Sequence, residues 1–409
     1  MTVTTPCRSG ADKPRAQLAA NRVDSRAWDP ATVHAVVPLI RAAADDIEAR
    51  RCLPPALVRT LADAGLFRMF MLRSLGGAEV DPLTRMEILE ALALADASVA
   101  WCVEIGSGTA YMLSGWLQPD TAREILCADA HTVVGGAVAV PGGRATPVDG
   151  GYRVTGRWGW GSGCTHSTWL ASGCVLTGDD RPRLHAQGAP VLRTMVFPKS
   201  EVEIIDTWTS TGLRGSGSHD YAVQDLFVPA ERSFWLPTKA PFQSGPLFAF
   251  RGIYISAAAA IAVGIGRAAI NTLVDLAAAK MPTRSTRLLR ERSMVQAQVA
   301  RAEALVSSAR AFAWQATADV WEAAVARREV TVCQRALFRL AISNAVSSAV
   351  EAVDLMYAMG GGSSVFAASP LDRQFRDVHT LAQHAALGPM TLEPAGRMLL
   401  GLEPDAPLF

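Results

Sequence analysis

The chain has 409 residues, half of them hydrophobic and 19% charged, and its 39 basic and 38 acidic side chains leave a formal charge of +1. That length suits two or three structural units with large shared cores, and the apolar content excludes a disordered chain. Near-neutrality excludes nucleic acid or an acidic membrane as a partner held through bulk charge.

Residues 1–28 read as a flexible tail, because Met1 to Asn21 is rich in Pro, Arg, Ser and Gln and lacks the apolar core of a signal peptide. From Asp29 to residue 131 the pattern is helical. Asp29-Pro30 reads as an N-cap followed by proline at the first helical position, and Val33, Val36, Val37 and Ile40 recur at helical spacing, with Pro38 as a kink site. Further helices are predicted after Pro54-Pro55, from Pro82 to Leu94, and from Val99 to Trp116, the last led in by Asp96-Ala97-Ser98.

Residues 132–244 change texture. Thr132-Val133-Val134, Gly151 to Trp158, Trp169 to Ala171, Arg193 to Pro198 and Ala222 to Pro229 read as strands set off by Gly, Pro and Asp. With no helices between them they predict an antiparallel β-domain. From residue 245 to 409 the chain is helical again. Ile253 to Ala279, Leu288 to Arg327 and Thr331 to Met359 are long, alanine-rich and amphipathic, as in a bundle that buries a second face against another subunit. The uncharged run Gly252 to Gly266 is too short to span a bilayer and is expected to be a buried helix, so no membrane partner is predicted.

Seven cysteines without a C-x-x-C pair predict reduced thiols in a cytoplasmic protein. The histidines show neither H-x-H nor H-E-x-x-H spacing, so no metal site is expected. Gly264-Ile265-Gly266-Arg267-Ala268-Ala269 fits a dinucleotide fingerprint but lies inside a helical run, where small residues serve close packing. Trp158 to Gly163 offers two readings. A flat heteroaromatic ligand lies against Trp160 with Ser162 at its polar edge, or a Trp-rich turn packs the core. Gly212 to Asp220 is likewise either an anion-binding loop or a strand connector.

Arg373 to His384 gathers an Arg-Asp pair and two of the seven histidines into twelve residues. As one helix it would put His379 and Gln383 on a shared face, with His384 about 100° further round. A neutral imidazole there suits proton transfer or a hydrogen bond to oxygen.

In their order these motifs resemble the acyl-CoA dehydrogenase fold. The likeness runs through Leu61 to Phe67 with Gly76-Gly77, Asp96 to Trp101, Gly151-Tyr152 through Ser162, Gly212 to Ser216, Val228-Pro229, Gly360-Gly361-Gly362 and Arg376-Asp377, over about residues 30 to 400. It implies an α+β fold: an N-terminal helical domain, a middle β-domain and a C-terminal four-helix bundle, usually assembled as a homotetramer with flavin between domains and subunits. Acyl-CoA dehydrogenases commonly carry Tyr-Glu-Gly-Thr after the Arg-Asp pair, with the glutamate as base. Here the corresponding residues are His384-Ala385-Ala386-Leu387. Alanine stands where the base would be.

Together with Gly156-Arg157-Trp158, Ser162-Gly163, His379 and His384, that departure makes the chain similar to the flavin-dependent monooxygenases of this fold. These are oxygenase components of two-component aromatic hydroxylases. The resemblance implies reduced FAD or FMN delivered by a separate NAD(P)H-dependent flavin reductase, reaction with O2 to a C4a-hydroperoxyflavin, and oxygen transfer to a phenolic or indolic small molecule. It implies flavin contacts at Trp160, Ser162, Gly163, Gly361 and Gly362. His384 becomes the base or peroxide partner, Ser162 the N5 partner, and Arg251 and His379 further site residues. Three alternatives remain at this point: an acyl-CoA dehydrogenase, an N- or S-oxygenase of the same fold, and a non-catalytic scaffold.

Overall fold

The structure, a computed structural model, describes residues 31–138, 140–178, 181–185, 188–235 and 240–402. The expected tail and the Asp29-Pro30 helix start lie outside the described residues.

Helix α1 (Ala31–Arg50) buries Val33, Val36, Ile40 and Ile47 and runs on through Pro38. Helix α2 (Pro55–Asp63) buries Leu57 and Leu61. Helix α3 (Pro82–Ala95) opens on Asp81, whose carboxylate accepts from the amides of Leu83 and Thr84 at 3.0 Å. Helix α4 (Ala97–Trp116) is capped in the same manner by Asp96 and is buried along almost its whole length. A short helix α5 (Pro119–Cys127), with proline at its first turn, follows where no element was predicted.

The middle unit is a sheet of strands β1 (Val134–Gly135), β2 (Gly143–Val148), β3 (Gly151–Trp158), β4 (Trp169–Gly178), β5 (Arg181–Pro182), β6 (Leu192–Pro198), β7 (Glu203–Ile205), β8 (Asp220–Pro229) and β9 (Ser233–Phe234). Its main path runs β7-β8-β3-β2-β4-β6-β9. Most pairings are antiparallel as expected, but β1 and β2 run parallel to β4. The reason is topological: β2 and β3 form a hairpin, and the chain then crosses back to place β4 on the far side of β2. That crossover, residues 159–168, carries Trp160 and Ser162.

The C-terminal unit packs α7 (Ser256–Ala279), α8 (Ser293–Val325), α9 (Val332–Gly360) and α10 (Pro370–Ala382) as the expected four-helix bundle. It is preceded by a short α6 (Pro246–Ala249) and followed by α11 (Leu392–Leu399). Thr331 and Gln334 close a reciprocal cap at the start of α9. Helix α7 is apolar because it is buried on nearly every side. Its glycines serve packing. A side-chain carbon at Gly264 would lie 2.7 Å from both the Ala93 methyl and the Glu90 carbonyl of α3, and one at Gly266 would lie 2.9 Å from Val306 of α8. Gly264→Val is therefore expected to lower stability by about 1–3 kcal/mol through overpacking, read as a fall in Tm; an unchanged Tm would contradict the close α3–α7 contact.

Cys52, Cys102, Cys127, Cys164 and Cys174 are free thiols. Cys333 is disulfide-bonded, so the expectation that every cysteine is reduced fails there. Among the described residues no group of His, Cys, Asp or Glu is arranged to hold a metal ion.

Candidate active site

The two tryptophans of the Trp158–Gly163 motif have different fates. Trp158 ends β3 fully buried, donating from Nε1 to the Gly173 carbonyl at 2.7 Å and stacking on Tyr221 at 5.4 Å. Trp160 is 69% exposed and sits at φ +57°, a left-handed conformation that a bulky side chain adopts only where its surroundings impose it. Small neighbours permit the turn: a side-chain carbon at Gly161 would strike the Tyr221 ring at 2.6 Å. The turned segment is tied to the loop before β8, with Gly161 N–H donating to the His219 carbonyl and Gly163 N–H to the Ser216 carbonyl, both at 3.0 Å.

Those ties bury Ser162 in a line of hydroxyls. Its Oγ accepts from Trp101 Nε1 of α4 at 2.9 Å and lies 2.8 Å from Ser218 Oγ, which lies 2.7 Å from Ser216 Oγ. Ser216 donates to the Leu213 carbonyl at 2.7 Å. Each hydroxyl has one proton, so the direction of the line follows from its end. Ser216 spends its proton on Leu213, Ser218 donates to Ser216, and Ser162 donates to Ser218. What Ser162 retains for a ligand is an acceptor lone pair.

Trp101 also meets His384, edge to face, with ring centres 5.4 Å apart. Helix α10 ends at Ala382, so His384 lies in the turn beyond it and the angular argument from a continuous helix does not apply. His384 is exposed as a residue, with its imidazole partly packed against protein through Trp101. That partial burial, and then the positive charge of Arg339, pulls His384 below the usual histidine range. Its Nδ1 accepts from the Ala386 amide at 3.3 Å, which assigns the proton of the neutral ring to Nε2.

The other predicted site residues are not brought to this cluster. His379 points to α9, with Nε2 2.8 Å from Asp354 Oδ1 and its ring against Phe375. Gly361 and Gly362 end α9 with open space around them, and Gly361 has φ +55°. Lys280 holds that turn through the Gly360 carbonyl at 2.6 Å. Arg251 opens the short 3-10 turn ahead of α7, where its charge acts on Tyr111 and Tyr254. Arg376 and Asp377 do not bond to each other. Arg376 pairs with Asp372 at 2.8 Å and Glu48 at 2.9 Å, while Asp377 accepts from the Leu213 amide at 2.6 Å. Burial pushes Asp377 up to about 7 and the nearby Asp96 up to about 6.

Sequence reasoning missed the polar groups one helical turn beyond Trp101. Glu104 pairs in the interior with Arg85 of α3, whose Nη1 also donates to the Tyr254 carbonyl at 2.8 Å. Burial lifts the Glu104 carboxyl, and Arg85 opposes that rise. Arg339 of α9 donates to the Ala386 carbonyl at 3.0 Å, two residues from His384. A signal existed: Glu104 is the one charged residue in the twenty of α4, and a lone buried charge requires a partner.

Residues 34–126 match the acyl-CoA dehydrogenase N-terminal domain and residues 256–389 the acyl-CoA dehydrogenase C-terminal domain, together more than half of the chain. The chain belongs to the acyl-CoA dehydrogenase family. Within that family it falls in the flavin-dependent monooxygenase branch. It is 29% identical over 368 residues to an indole-3-acetate monooxygenase of Pseudomonas putida, covering 89% of this chain and 91% of the relative. It is 27% identical over 410 residues to the oxygenase component of an FADH(2)-dependent resorcinol hydroxylase of a Rhizobium species, covering 91% and 94%. The crystal structure of the HsaA monooxygenase from M. tuberculosis superposes with a TM-score of 0.81 at 26% identity, over 93% of this chain and 98% of that one.

The residues of this acyl-CoA dehydrogenase family member fit a flavin. Trp160 offers an exposed indole face, held outward by its backbone, and two residues on Ser162 offers a buried acceptor. A reduced flavin carries a donor at N5–H, which an acceptor hydroxyl complements.

Proposed function

We propose that the chain is the oxygenase component of a two-component system that hydroxylates an aromatic small molecule, indolic or phenolic. It takes reduced FAD or FMN from a separate NAD(P)H-dependent reductase and consumes O2. The observation that carries this reading is the cluster made by Ser162, Trp101 and His384, drawn from all three units of the fold, with the exposed Trp160 two residues before Ser162. The runner-up, acyl-CoA dehydrogenation, needs a carboxylate free to remove an α-proton. Ala385 stands where that base is common, and Glu104 is held in its pair with Arg85.

When bound, reduced flavin supplies the electrons that activate O2 for transfer of one oxygen atom. The residues of this chain do the rest. Trp160 and Ser162 would hold the flavin, Trp160 by its exposed indole face and Ser162 by an acceptor lone pair, its own proton being committed to Ser218. Trp101 and the apolar wall of α4 exclude water from the reacting oxygen. His384 presents its Nε2 proton to the oxygen delivered to the substrate. Arg251, in the turn ahead of α7, and His379, paired with Asp354 of α9, stand outside that cluster. We place Gly361 and Gly362 at a contact between copies in a homotetramer, where an open turn without side chains suits close approach to a cofactor.

The test is anaerobic loading with reduced FMN or FAD, followed by mixing with ¹⁸O-labelled O2 and a panel of indoles and phenols. Retained reduced flavin and one labelled oxygen in an aromatic product are expected. Failure to retain flavin, or label in none of the aromatics, would reject the reading. Reduction of bound FAD by an acyl-CoA would favour the dehydrogenase instead.

A further inference from the structure

His219 is buried, one residue beyond Ser218, and its backbone and its ring hold different parts of the proposed flavin seat. Its carbonyl accepts from the Gly161 amide at 3.0 Å, next to Trp160. Its Nδ1 accepts from the Trp208 amide at 3.2 Å. Trp208 in turn donates from Nε1 to the Leu213 carbonyl at 3.0 Å, the same oxygen that takes the Ser216 proton at 2.7 Å. The end of the hydroxyl line behind Ser162 is thus steadied, through Trp208, by one imidazole nitrogen.

That nitrogen has a rival partner. Asp206 Oδ1 lies 3.2 Å from it, on a carboxylate that Arg51, just beyond α1, grips through both oxygens at 2.8 and 2.7 Å. An amide donates and a carboxylate accepts, so Nδ1 can serve only one of them at a time. In the neutral ring with its proton on Nε2, Nδ1 takes the Trp208 N–H. Once Nδ1 is protonated it donates to Asp206, and the Trp208 amide faces another donor. The charged groups facing the ring are Asp206, Arg51 and Asp220, the last paired with Arg157 at 2.7 Å. Burial lowers the ionisation of the ring from the usual histidine value; Asp206 and Asp220 oppose that fall and Arg51 adds to it.

We propose that His219 is a positioning residue and acid-sensitive latch of the flavin seat: neutral, it holds Trp208 and with it the Ser216 end of the hydroxyl line, and protonated, it exchanges Trp208 for Asp206 and releases that end. It acts through Trp208 and Gly161 and takes no part in moving oxygen. The sign follows from the neutral ring being the one that grips Trp208. The latch is closed above the usual histidine range and opens as pH falls through the lowered ionisation of this ring.

That the latched segment seats flavin rests on the oxygenase reading, so one arm of the test omits flavin. Hydrogen-exchange protection of the Trp208 amide, taken relative to the unfolded-chain rate at each pH, is measured from about pH 8 to about pH 5 in the unmodified protein, His219→Asn and His219→Ala. Asparagine offers an acceptor oxygen near the place of Nδ1 and does not titrate. Protection is expected to fall about 5- to 10-fold in acid in the unmodified protein, the worth of one hydrogen bond. It should stay high and level in His219→Asn and low throughout in His219→Ala. Asp206→Asn removes the charge that favours the protonated ring, so its fall should come at lower pH. Asp377 and His384 also respond to acid but remain in His219→Asn, so that variant isolates the part due to His219. An acid-induced fall that persists in His219→Asn overturns the proposal, as does full protection in His219→Ala. In the second arm, the affinity for reduced FMN or FAD is measured over the same pH range and should follow the latch. An affinity level with pH while the latch opens would reject its role in seating flavin. A latch that behaves as expected in protein that binds no flavin would stand, and the oxygenase reading would fall.

Discussion

His384→Ala is expected to bind reduced flavin as the unmodified protein does while forming hydroxylated product about 10²-fold or more slowly, the usual range for loss of a positioned proton-transfer group. Oxygen consumption should continue, with the lost product appearing as hydrogen peroxide. The reason is positional: the imidazole touches Trp101, whose indole nitrogen holds Ser162, so in the proposed site it would act beside the flavin rather than hold it. The pH dependence follows from the same environment. Partial burial and Arg339 lower the imidazole's ionisation from the usual histidine value, so the neutral ring persists to lower pH than in an unperturbed histidine. Product formation should therefore decline at a lower pH than an ordinary histidine would give, where protonation removes the Nδ1 acceptor used by Ala386. Unchanged coupling in His384→Ala, or an inflection at 6.5 that the variant abolishes, would contradict this account.

Glu104→Ala is expected to be the most destabilising single change near the site, costing about 3–5 kcal/mol, as when one partner of a buried ion pair is removed. Arg85 is wholly buried, stacks on Phe70 at 4.2 Å and would be left with its charge uncompensated. Glu104→Gln retains a hydrogen-bond acceptor and should lose less. Replacing both partners by apolar residues should recover part of the loss, because the cost lies in the orphaned charge. Denaturant melts of the three variants give the order directly, and a stable Glu104→Ala protein would mean that water reaches Arg85.

Long elements were readable because their hydrophobic period is strong. The predicted start of the α9 helix at Thr331 and strand β3 at Gly151–Trp158 match the structure, and the motif order carried the fold. Conformation at single residues was not. An extended Trp158-Gly159-Trp160 puts both indoles on one face, and only the left-handed turn at Trp160 separates a core residue from an exposed one. The end of α10 at Ala382 was hidden because nothing between Gln383 and Leu387 is a strong helix breaker. The bond from Arg339 to the Ala386 carbonyl was unreadable for another reason: it joins α9 to the turn beyond α10 across 47 positions, and only the packing of the bundle brings them together.

The loop that carries Ser216 and Ser218 is fixed from far along the chain. Asp377 grips the Leu213 amide, 164 positions away, and Gly212 lies so close beneath the Arg376 carbonyl that no side chain fits between them. During synthesis the N-terminal helices and the sheet emerge first, and the hydroxyl line behind Ser162 has no final register until α10 arrives. The proposed flavin seat is thus completed only after Asp377 has been made. A chain stopped short of Asp377 would have its strands and its tryptophans but would lack the carboxylate that fixes the Leu213 amide, and with it the anchor of the hydroxyl line.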